Sequence, residues 1–507
     1  MRKIDSRWFV AMALCAFAVG CGSSDKGNSN GNGASAGSSN GAGGSSSSAG
    51  GSTNAAGNSA SAGTSSSAGS GTVTGPTGPV GPAGSCSMPD TRITEIDVGA
   101  AISQNEDEAA LKPLAISAIP SGGSRVAWIG ADNMIHVTTL KADDTVDTSV
   151  GTVNIVGSDY GDIYADDQGG VLMVSRDSVG GGTLNCGDPT DLCGTPPSPA
   201  IPCFDMYMVR FDGTSETWAT ELTQSSSAHP PYLTSKTDMQ NVTFVWWYAH
   251  HSRIAFDGTN YAGYYGVAIS VSQMGCVNIH QGDQMRVVDP TGKLLTGHDS
   301  FDLGCSHSGY ERVVWDPTAQ HFIMVCKNDA PTGGKSGRLA FAPRTTTIEP
   351  LDLFYSNMGN ITLAGGGGYW LTTSDIRAGQ TPNMDGLADV HLVHFTTGAP
   401  DKDILLASDM GLNDRAPHLT QYGASHLLAA WDTSTAAGDL TPRSPNRKLY
   451  VQVLDSTTGA ALSQPINVAV PNNRYQEMKP FPDGSVAYAA PGSASTKIKI
   501  LRVLPCQ

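Results

Sequence analysis

The chain has 507 residues, 60 glycines, 10 cysteines and a formal net charge of −16, but these totals combine three segments of different composition. Residues 1–20 hold three basic side chains and one acidic side chain, so the rest of the chain has 27 basic and 45 acidic residues and a net charge of −18. Such an acidic surface repels phosphate backbones, which argues against nucleic acid as a partner.

Residues 1–20 are predicted to be a signal peptide, because a basic start precedes a short apolar run over residues 8–19. The run is too short to span a membrane as a helix. It ends in Ala-Val-Gly followed by Cys21, which resembles the lipobox of bacterial lipoproteins. The resemblance implies lipidation of Cys21 and anchoring in a membrane. Gly22, where inner-membrane lipoproteins often have Asp, favours the outer membrane, with the protein facing the periplasm or the cell surface. The alternative is an ordinary signal peptide with a chance cysteine.

Residues 21–85 are predicted to be a lipid-anchored, disordered linker. After Cys21 they are almost entirely Gly, Ser, Ala, Asn and Thr, and only Asp25 and Lys26 are charged. A segment of this composition cannot bury a core and acts as a flexible tether with a reach of about 40–50 Å. The short Gly-Pro-X stretch at residues 75–84 has too few triplets for a triple helix, and we interpret it as a stiffer, extended end of the tether.

Residues 86–507 are predicted to form an all-β, seven-bladed β-propeller. An apolar strand, a Gly or Asp turn, a second strand, a variable loop and a third strand recur seven times, mostly at intervals of roughly 45–60 residues. Asp-Gly and Gly-Gly pairs between short apolar runs are hairpin signals, and the interval is typical of four-stranded blades. Two unrelated β-sandwich domains are the alternative. The copies begin near Leu114, Ile163, Arg253, Arg312, Asn360, His418 and Met478.

The two ends of this segment predict how the ring closes. The seventh copy stops after its third strand, while residues 92–98 form an extra strand before the first copy. Propellers commonly close when the N-terminal strand completes the last blade, since this covers an open sheet edge. Cys86 and Cys506 flank these two strands, so we expect a disulfide between them.

The other cysteines beyond the linker are also predicted to form disulfides, because eight cysteines in an exported chain are an even set. Cys305 opens the first strand of the fourth copy and Cys326 ends the second, which makes this pair plausible; the remaining pairings stay open. The spacing of Cys186, Cys193 and Cys203 does not match short zinc knuckles. The six cysteines are Cys186, Cys193, Cys203, Cys276, Cys305 and Cys326.

Two faces of the predicted ring differ in loop length. The connections between second and third strands, and those between blades, lie on one face, which we call the insertion face; the opposite side is the turn face. Long insertions fall on the insertion face, at residues 175–205, 270–284, 327–337, 374–389 and 432–447. Long loops on a rigid frame usually hold binding residues, so we expect function there.

The densest polar cluster also falls on the insertion face. His251, His280, Asp283 and His307 form a candidate set for a divalent metal such as zinc. His, Tyr and Arg together also suit proton abstraction from an acidic sugar, and this combination is similar to that of propeller-type polysaccharide lyases. A third interpretation is that the residues form hydrogen bonds where loops cross the channel mouth. The cluster comprises His250, His251, Arg253, His280, Asp283, His307, Tyr310 and Arg312.

One loop has the spacing of a calcium site. Asn383, Asp385 and Asp389 stand at the third, fifth and ninth positions of an Asp-rich loop with Gly386 at the sixth, although Thr381 takes the first ligand position. The alternative is an ordinary polar loop.

The sequence therefore predicts an extracytoplasmic propeller lipoprotein whose insertion face binds a carbohydrate or a surface protein. The alternative is a polysaccharide-active enzyme, a lyase or hydrolase, that uses the polar cluster. A purely structural surface module is the third possibility. The oligomeric state is left open.

Overall fold

The computed structural model describes most of the predicted propeller segment. No helix within this part of the chain is long and apolar enough to cross a membrane. The predicted signal peptide, Cys21 and the linker 21–85 lie outside the described residues, and so remain predictions. The described residues are 86–103, 112–177, 204–223, 243–244, 251–273, 276–301, 310–327, 337–343, 349–355, 357–377, 386–397, 399–409 and 411–506.

The described residues form seven antiparallel sheets of four strands each. Sheet 1 contains β2 (Ile116–Ala118), β3 (Ser124–Ile129), β4 (Ile135–Leu140) and β5 (Val153–Ile155). Sheet 2 contains β6 (Asp159–Ala165), β7 (Gly169–Asp177), β8 (Phe204–Asp212) and β9 (Ser215–Glu221). Sheet 3 contains β10 (Thr243–Phe244), β11 (Arg253–Phe256), β12 (Tyr261–Gln273) and β13 (Cys276–Val288).

The remaining sheets follow the same order along the chain. Sheet 4 contains β14 (Glu311–Asp316), β15 (His321–Lys327), β16 (Gly337–Pro343) and β17 (Glu349–Tyr355). Sheet 5 contains β18 (Asn357–Leu363), β19 (Tyr369–Ile376), β20 (Ala388–Phe395) and β21 (Lys402–Ala407). Sheet 6 contains β22 (Asn413–Tyr422), β23 (His426–Ser434), β24 (Lys448–Asp455) and β25 (Ile466–Val468). Sheet 7 contains β26 (Lys479–Pro480), β27 (Val486–Pro491), β28 (Lys497–Val503) and β1 (Thr91–Asp97).

The sheets pack face to face, because their central strands are apolar on both sides. In β23, Leu427, Ala429 and Trp431 lie in the apolar cluster shared with sheet 5. The alternate residues Leu428 and Ala430 lie in the cluster shared with sheet 7. Since successive side chains of a strand point to opposite faces, one strand contributes to two cores. Both faces of the strand are therefore buried between neighbouring sheets.

These contacts run around a ring, which is the arrangement of a β-propeller. Each innermost strand contacts the next, in the order β2, β6, β11, β14, β18, β22 and β26, and β26 contacts β2 again. An apolar cluster lies between each pair of neighbouring sheets, including sheets 7 and 1. The hydrophobic core is thus divided among the sheet interfaces.

The N-terminal strand closes the last sheet, as the sequence predicted. Strand β1 pairs with β28 from Thr91 opposite Val503 to Asp97 opposite Lys497. Cys86 and Cys506 form the predicted disulfide, with a Cα–Cα distance of 4.9 Å. Because strand directions alternate, β28 ends and β1 begins at the turn face. The disulfide therefore lies on that face, beside β23.

In sheet 3 the structure differs from the prediction of a long loop. Residues 270–284 were predicted to be a loop insertion, but β12 and β13 pair continuously from Tyr261 opposite Val288 to Gln273 opposite Cys276. The physical reason is visible in residues 266–272, Gly-Val-Ala-Ile-Ser-Val-Ser, where β-branched residues alternate with small ones. His280 and Asp283 consequently lie in a strand of a long hairpin and not in a loop.

Candidate functional site

The centre of the ring is crossed by the segment 472–479, which leads from sheet 6 to the first residue of β26 in sheet 7 and which we call the strap. All its side chains are buried or half-buried. The strap makes hydrogen bonds, ion pairs or ring contacts with sheets 1, 2, 3, 4, 6 and 7. Several of these contacts are with residues at the insertion-face ends of the innermost strands. The strap therefore occupies the insertion-face end of the central channel.

Tyr475 is the aromatic centre of the strap. Its ring centroid lies 4.2 Å from that of His251 and 5.9 Å from that of Tyr310. The guanidinium carbon of Arg474 lies 4.7 Å from the Tyr475 ring centroid. Tyr475 also joins the apolar cluster between sheets 4 and 5 with Met358. Two of the predicted site residues, His251 and Tyr310, are thus packed on a side chain that the sequence analysis did not single out.

A chain of buried charges connects the strap to sheets 2 and 3. The Nε atom of Arg253 lies 2.7 Å from Oε1 of Glu477. The ammonium group of Lys479 lies 2.5 Å from Oε2 of Glu477 and 2.9 Å from Oδ2 of Asp162. Arg253 also donates hydrogen bonds to the carbonyls of His251, Ser252 and Tyr475. The Arg253 guanidinium therefore contacts the Glu477 carboxylate and three backbone carbonyls.

The pKa values of Glu477 and Asp162 reflect both their burial and the charges of their neighbours. Burial opposes the ionisation of Glu477, but Lys479, Arg253 and Arg312 together hold its pKa at about 2. Burial raises the pKa of Asp162, although Lys479 acts in the opposite direction. Glu477 is therefore ionised throughout the neutral range and serves as the counter-ion of Arg253.

Arg312 is held differently, through backbone carbonyls. It is 1% exposed, and its guanidinium donates hydrogen bonds to the carbonyls of Glu311, Met358, Gly359 and Arg474 at 2.9–3.5 Å. Burial, followed by repulsion from Arg253, lowers the pKa of Arg312 to about 10. Arg312 thereby links sheet 4 to sheet 5 and to the strap.

A second ionic group centres on Asp439, which lies in the predicted insertion 432–447. Its carboxylate contacts Arg415 at 2.8 Å and Arg474 at 2.5 Å. The amide of Asn357 donates to Asp439 at 3.3 Å and to the hydroxyl of Tyr310 at 3.0 Å. These bonds join sheets 5 and 6 to the strap.

The predicted polar cluster is brought together only in part. His251, Arg253, Tyr310 and Arg312 converge at the strap, as described above. Asp283 accepts a hydrogen bond from the hydroxyl of Tyr264 within sheet 3. His250, His307 and the side chain of His280 lie outside the described residues. The predicted site for a divalent metal such as zinc therefore remains a prediction.

The surroundings of the four converging residues favour a structural role over acid–base catalysis. Burial raises the pKa of Tyr310, which hinders its action as a base at neutral pH. Arg253 has Glu477 as its counter-ion, so it cannot neutralise a substrate carboxylate without losing this contact. Chemistry of the lyase type at these residues would require displacement of the strap.

Sequence reasoning missed the strap, including Glu477 and Lys479. The signal available was a polar run without glycine, Asn-Asn-Arg-Tyr-Gln-Glu over residues 472–477, between two strand repeats. It also missed His418, whose imidazole forms a 2.6 Å hydrogen bond with the amide oxygen of Asn472. Burial lowers the pKa of His418 to about 4, so the neutral ring donates from Nε2.

Of the predicted calcium ligands, only Asp389 is described, while Asn383 and Asp385 lie outside the described residues. Asp389 is bound by Arg377, with Nη2 at 2.5 Å and Nε at 3.0 Å from the same carboxylate oxygen. Asp414 is 1% exposed, and burial together with the charge of Asp389 raises its pKa to about 7. The calcium site therefore remains a prediction.

Cys326 is disulfide-bonded and fully buried, but its predicted partner Cys305 lies outside the described residues. Cys186, Cys193 and Cys203 also lie outside the described residues. Cys276 is described only as the first residue of β13. The pairings of these cysteines remain predictions.

Comparison with known proteins adds little to this picture. No protein-family model matches the chain, and no curated protein matches its sequence. Among solved structures it is similar to the β-propeller domain of the Trilobed protease from Pyrococcus furiosus, with 7% identity, a TM-score of 0.37 and coverage of 69% of this chain and 85% of that chain.

Two further solved structures are similar at the same level. The α-L-arabinanase of Penicillium chrysogenum, solved with arabinobiose, has 10% identity, a TM-score of 0.36 and coverage of 82% of this chain and 98% of that chain. The virginiamycin B lyase of Staphylococcus aureus has 9% identity, a TM-score of 0.39 and coverage of 81% and 99%. Similarity of this extent does not bear on activity or ligand.

Replacing Glu477 with glutamine should destabilise the ring by about 3 kcal/mol, because it leaves Arg253 without its buried carboxylate partner and leaves Lys479 with Asp162 alone. The midpoint of urea unfolding measures this change. The wild-type contribution of Glu477 is present above its unfolded pKa of 4.5 and is lost as the pH falls towards 2, so the difference between the proteins should shrink in acid.

The control for this variant is Glu216→Gln, which removes a partly exposed ion pair with Arg176. We expect it to cost less than about 1 kcal/mol. Equal losses in the two variants would contradict the central role of Glu477.

Replacing Asp414 with asparagine should stabilise the protein in alkaline solution. The folded pKa of about 7 exceeds the ordinary aspartate pKa of 3.8, so the stability that this carboxyl group contributes is present below pH 3.8 and is lost as the pH rises through 7. The melting temperature of Asp414→Asn should therefore exceed that of the wild type above neutral pH and match it in acid.

Asp143→Asn serves as the opposite control. Hydrogen bonds from the side chain and backbone of Thr145 lower the pKa of Asp143, so neutralising it should destabilise the protein at neutral pH. A higher melting temperature for both variants at alkaline pH would point to a general charge effect and not to Asp414.

Proposed function

We propose that the protein is a surface-anchored, extracytoplasmic lipoprotein with a seven-bladed β-propeller whose insertion face binds a carbohydrate or a protein. The seven sheets, the cyclic contacts of their innermost strands and the apolar cluster at each interface support one blade per sheet. The pairing of β1 with β28 supports closure of the ring by its N-terminal strand.

The strap is the observation on which the binding role rests. It occupies the insertion-face end of the channel with side chains that are bonded to the surrounding sheets. A ligand on this face would therefore meet the connections around the strap before it met the channel. In sheets 2, 4 and 5 the second strand is joined to the third by residues 178–203, 328–336 and 377–387, and we propose that the ligand-binding residues lie among them.

The alternative function, a polysaccharide-active lyase or hydrolase, rests on the convergence of His251, Tyr310 and two arginines. It requires the strap to move, because Tyr475 covers His251 and Glu477 binds Arg253. A binding module requires no such movement, which is why we favour it.

Lipid anchoring predicts a difference between two cysteines of the N-terminal segment. In cells supplied with radiolabelled palmitate, Cys21→Ser should abolish incorporation of label and shift the protein out of the membrane fraction. Cys15→Ser, the matched control within the predicted signal peptide, should keep both label and location. Labelling that persists in Cys21→Ser would contradict the lipoprotein assignment.

Ligand binding is tested with the mature chain immobilised and exposed to a panel of purified neutral and acidic polysaccharides and cell-surface proteins. Replacing residues 179–202, which include Cys186 and Cys193, with a short Gly-Ser segment should reduce binding of the ligand found in this panel at least about tenfold, while the far-ultraviolet circular dichroism spectrum of the ring stays unchanged. Thr259→Ala, in the β11–β12 turn on the turn face, is the control and should bind normally.

Two outcomes would count against the proposal. Loss of binding in Thr259→Ala with normal binding in the loop variant would place the ligand on the other face. Release of unsaturated uronate from an acidic polysaccharide by the wild-type protein, followed by its absorbance, would favour the lyase alternative.

A further inference from the structure

Three potential metal ligands meet at the turn face, at the closure of the ring. Cys86 precedes β1, Cys506 follows β28, and His426 begins β23 in the neighbouring sheet. The sulfur of Cys86 lies 3.7 Å from Nε2 and 4.0 Å from Nδ1 of His426. One donor atom from each of the three residues lies within 4.8 Å of the others.

We propose that reduction of the Cys86–Cys506 disulfide converts this closure into a binding site for a soft divalent metal ion such as Zn²⁺. Two thiolates and one imidazole are a donor set that zinc prefers, and three protein ligands leave a fourth position for water. The same residues would then hold the ring closed in two ways, by a covalent bond when oxidised and through the metal when reduced.

The reduction step requires a dithiol as the electron donor. Its thiolate attacks one sulfur of the disulfide, a mixed disulfide forms, and its second thiol releases the protein as two free thiols. The donor becomes a disulfide, so two electrons and two protons pass to the protein. Metal binding then displaces the thiol protons, because the thiolate form is the ligand.

The surrounding structure would keep the donors together after the disulfide opens. Strand β1 is paired with β28 over its whole length, and the amide of Leu504 donates to the carbonyl of Asp90 at 2.9 Å. His426 is fixed by its pairing with Asp455 in sheet 6. These backbone bonds do not depend on the disulfide, so ordering the ligands would cost little additional entropy.

The environment of the three residues also suits a metal. Cys86 and Cys506 pack against the apolar cluster between sheets 6 and 7, which includes Tyr422 and Leu428. All three donor residues are half-buried, so a small reductant and an ion can reach them while water is partly excluded. Asp455 lies opposite His426 and contributes negative charge near the site.

The test uses Co²⁺ as a spectroscopic probe on the full mature chain. The protein is reduced with a phosphine, which binds the metal more weakly than a dithiol does, and the phosphine is removed without oxygen before titration. We expect the reduced wild type to bind Co²⁺ with thiolate-to-metal charge-transfer absorption, and to bind one equivalent more than Cys86→Ser/Cys506→Ser. The oxidised protein should lack this absorption.

Because reduction opens other disulfides as well, the assignment depends on His426. His426→Ala keeps both cysteines and should lower the affinity for Co²⁺ by more than about tenfold, because it removes one of the three proposed ligands. His391→Ala is the matched control, since His391 is also half-buried on a strand and pairs with Asp403 at 2.8 Å.

Identical cobalt stoichiometry and spectra for the wild type, His426→Ala and the double cysteine variant would overturn the proposal, as would equal binding by the oxidised protein. If the double cysteine variant does not fold, the comparison of His426→Ala with His391→Ala decides the question alone. Far-ultraviolet circular dichroism of each variant shows whether the ring is intact before metal is added.

Discussion

The ion pair between Arg253 and Glu477 is the interaction on which the centre of the molecule depends. A buried guanidinium without a counter-ion is costly, so Arg253 requires the strap to lie across the channel. Lys479 extends the same contact to Asp162 in sheet 2. Each innermost strand contacts its two neighbours, whereas the strap makes polar or ring contacts with six sheets and joins the apolar cluster of sheets 4 and 5 through Tyr475. The strap therefore links sheets that are not neighbours in the ring, such as sheets 3 and 6.

Much of the fold could be predicted because its signals are local. The Asp-Gly and Gly-Gly turns marked the hairpins, and the residues of β23 are apolar on both faces because the strand lies between two sheets. The closing strand β1 could be predicted because the seventh copy of the repeat has only three strands and an extra strand precedes the first copy. The long hairpin of sheet 3 could not be predicted from the length of a usual blade strand, because β12 and β13 each extend over 13 residues.

The site was harder to predict, because residue types do not reveal their partners. The sequence placed His251, Arg253, Tyr310 and Arg312 in one cluster. In the structure these residues contact Tyr475, Glu477 or Arg474 of the strap, which lie far away along the chain. The Cys86–Cys506 disulfide could be predicted because both residues flank strands of one sheet. His426 belongs to a different sheet, so only the packing of sheets 6 and 7 brings it beside the sulfur.

The location of the disulfide has a mechanical consequence. A pull on the chain before Cys86 would pass through a covalent bond to Cys506 at the end of β28. Strand β1 would therefore be shielded from tension, and the outer edge of sheet 7 could not be peeled away one hydrogen bond at a time. The load would reach the ring at its turn face, on the side away from the strap. Tension applied before Cys86 would therefore leave the insertion face of the ring undistorted.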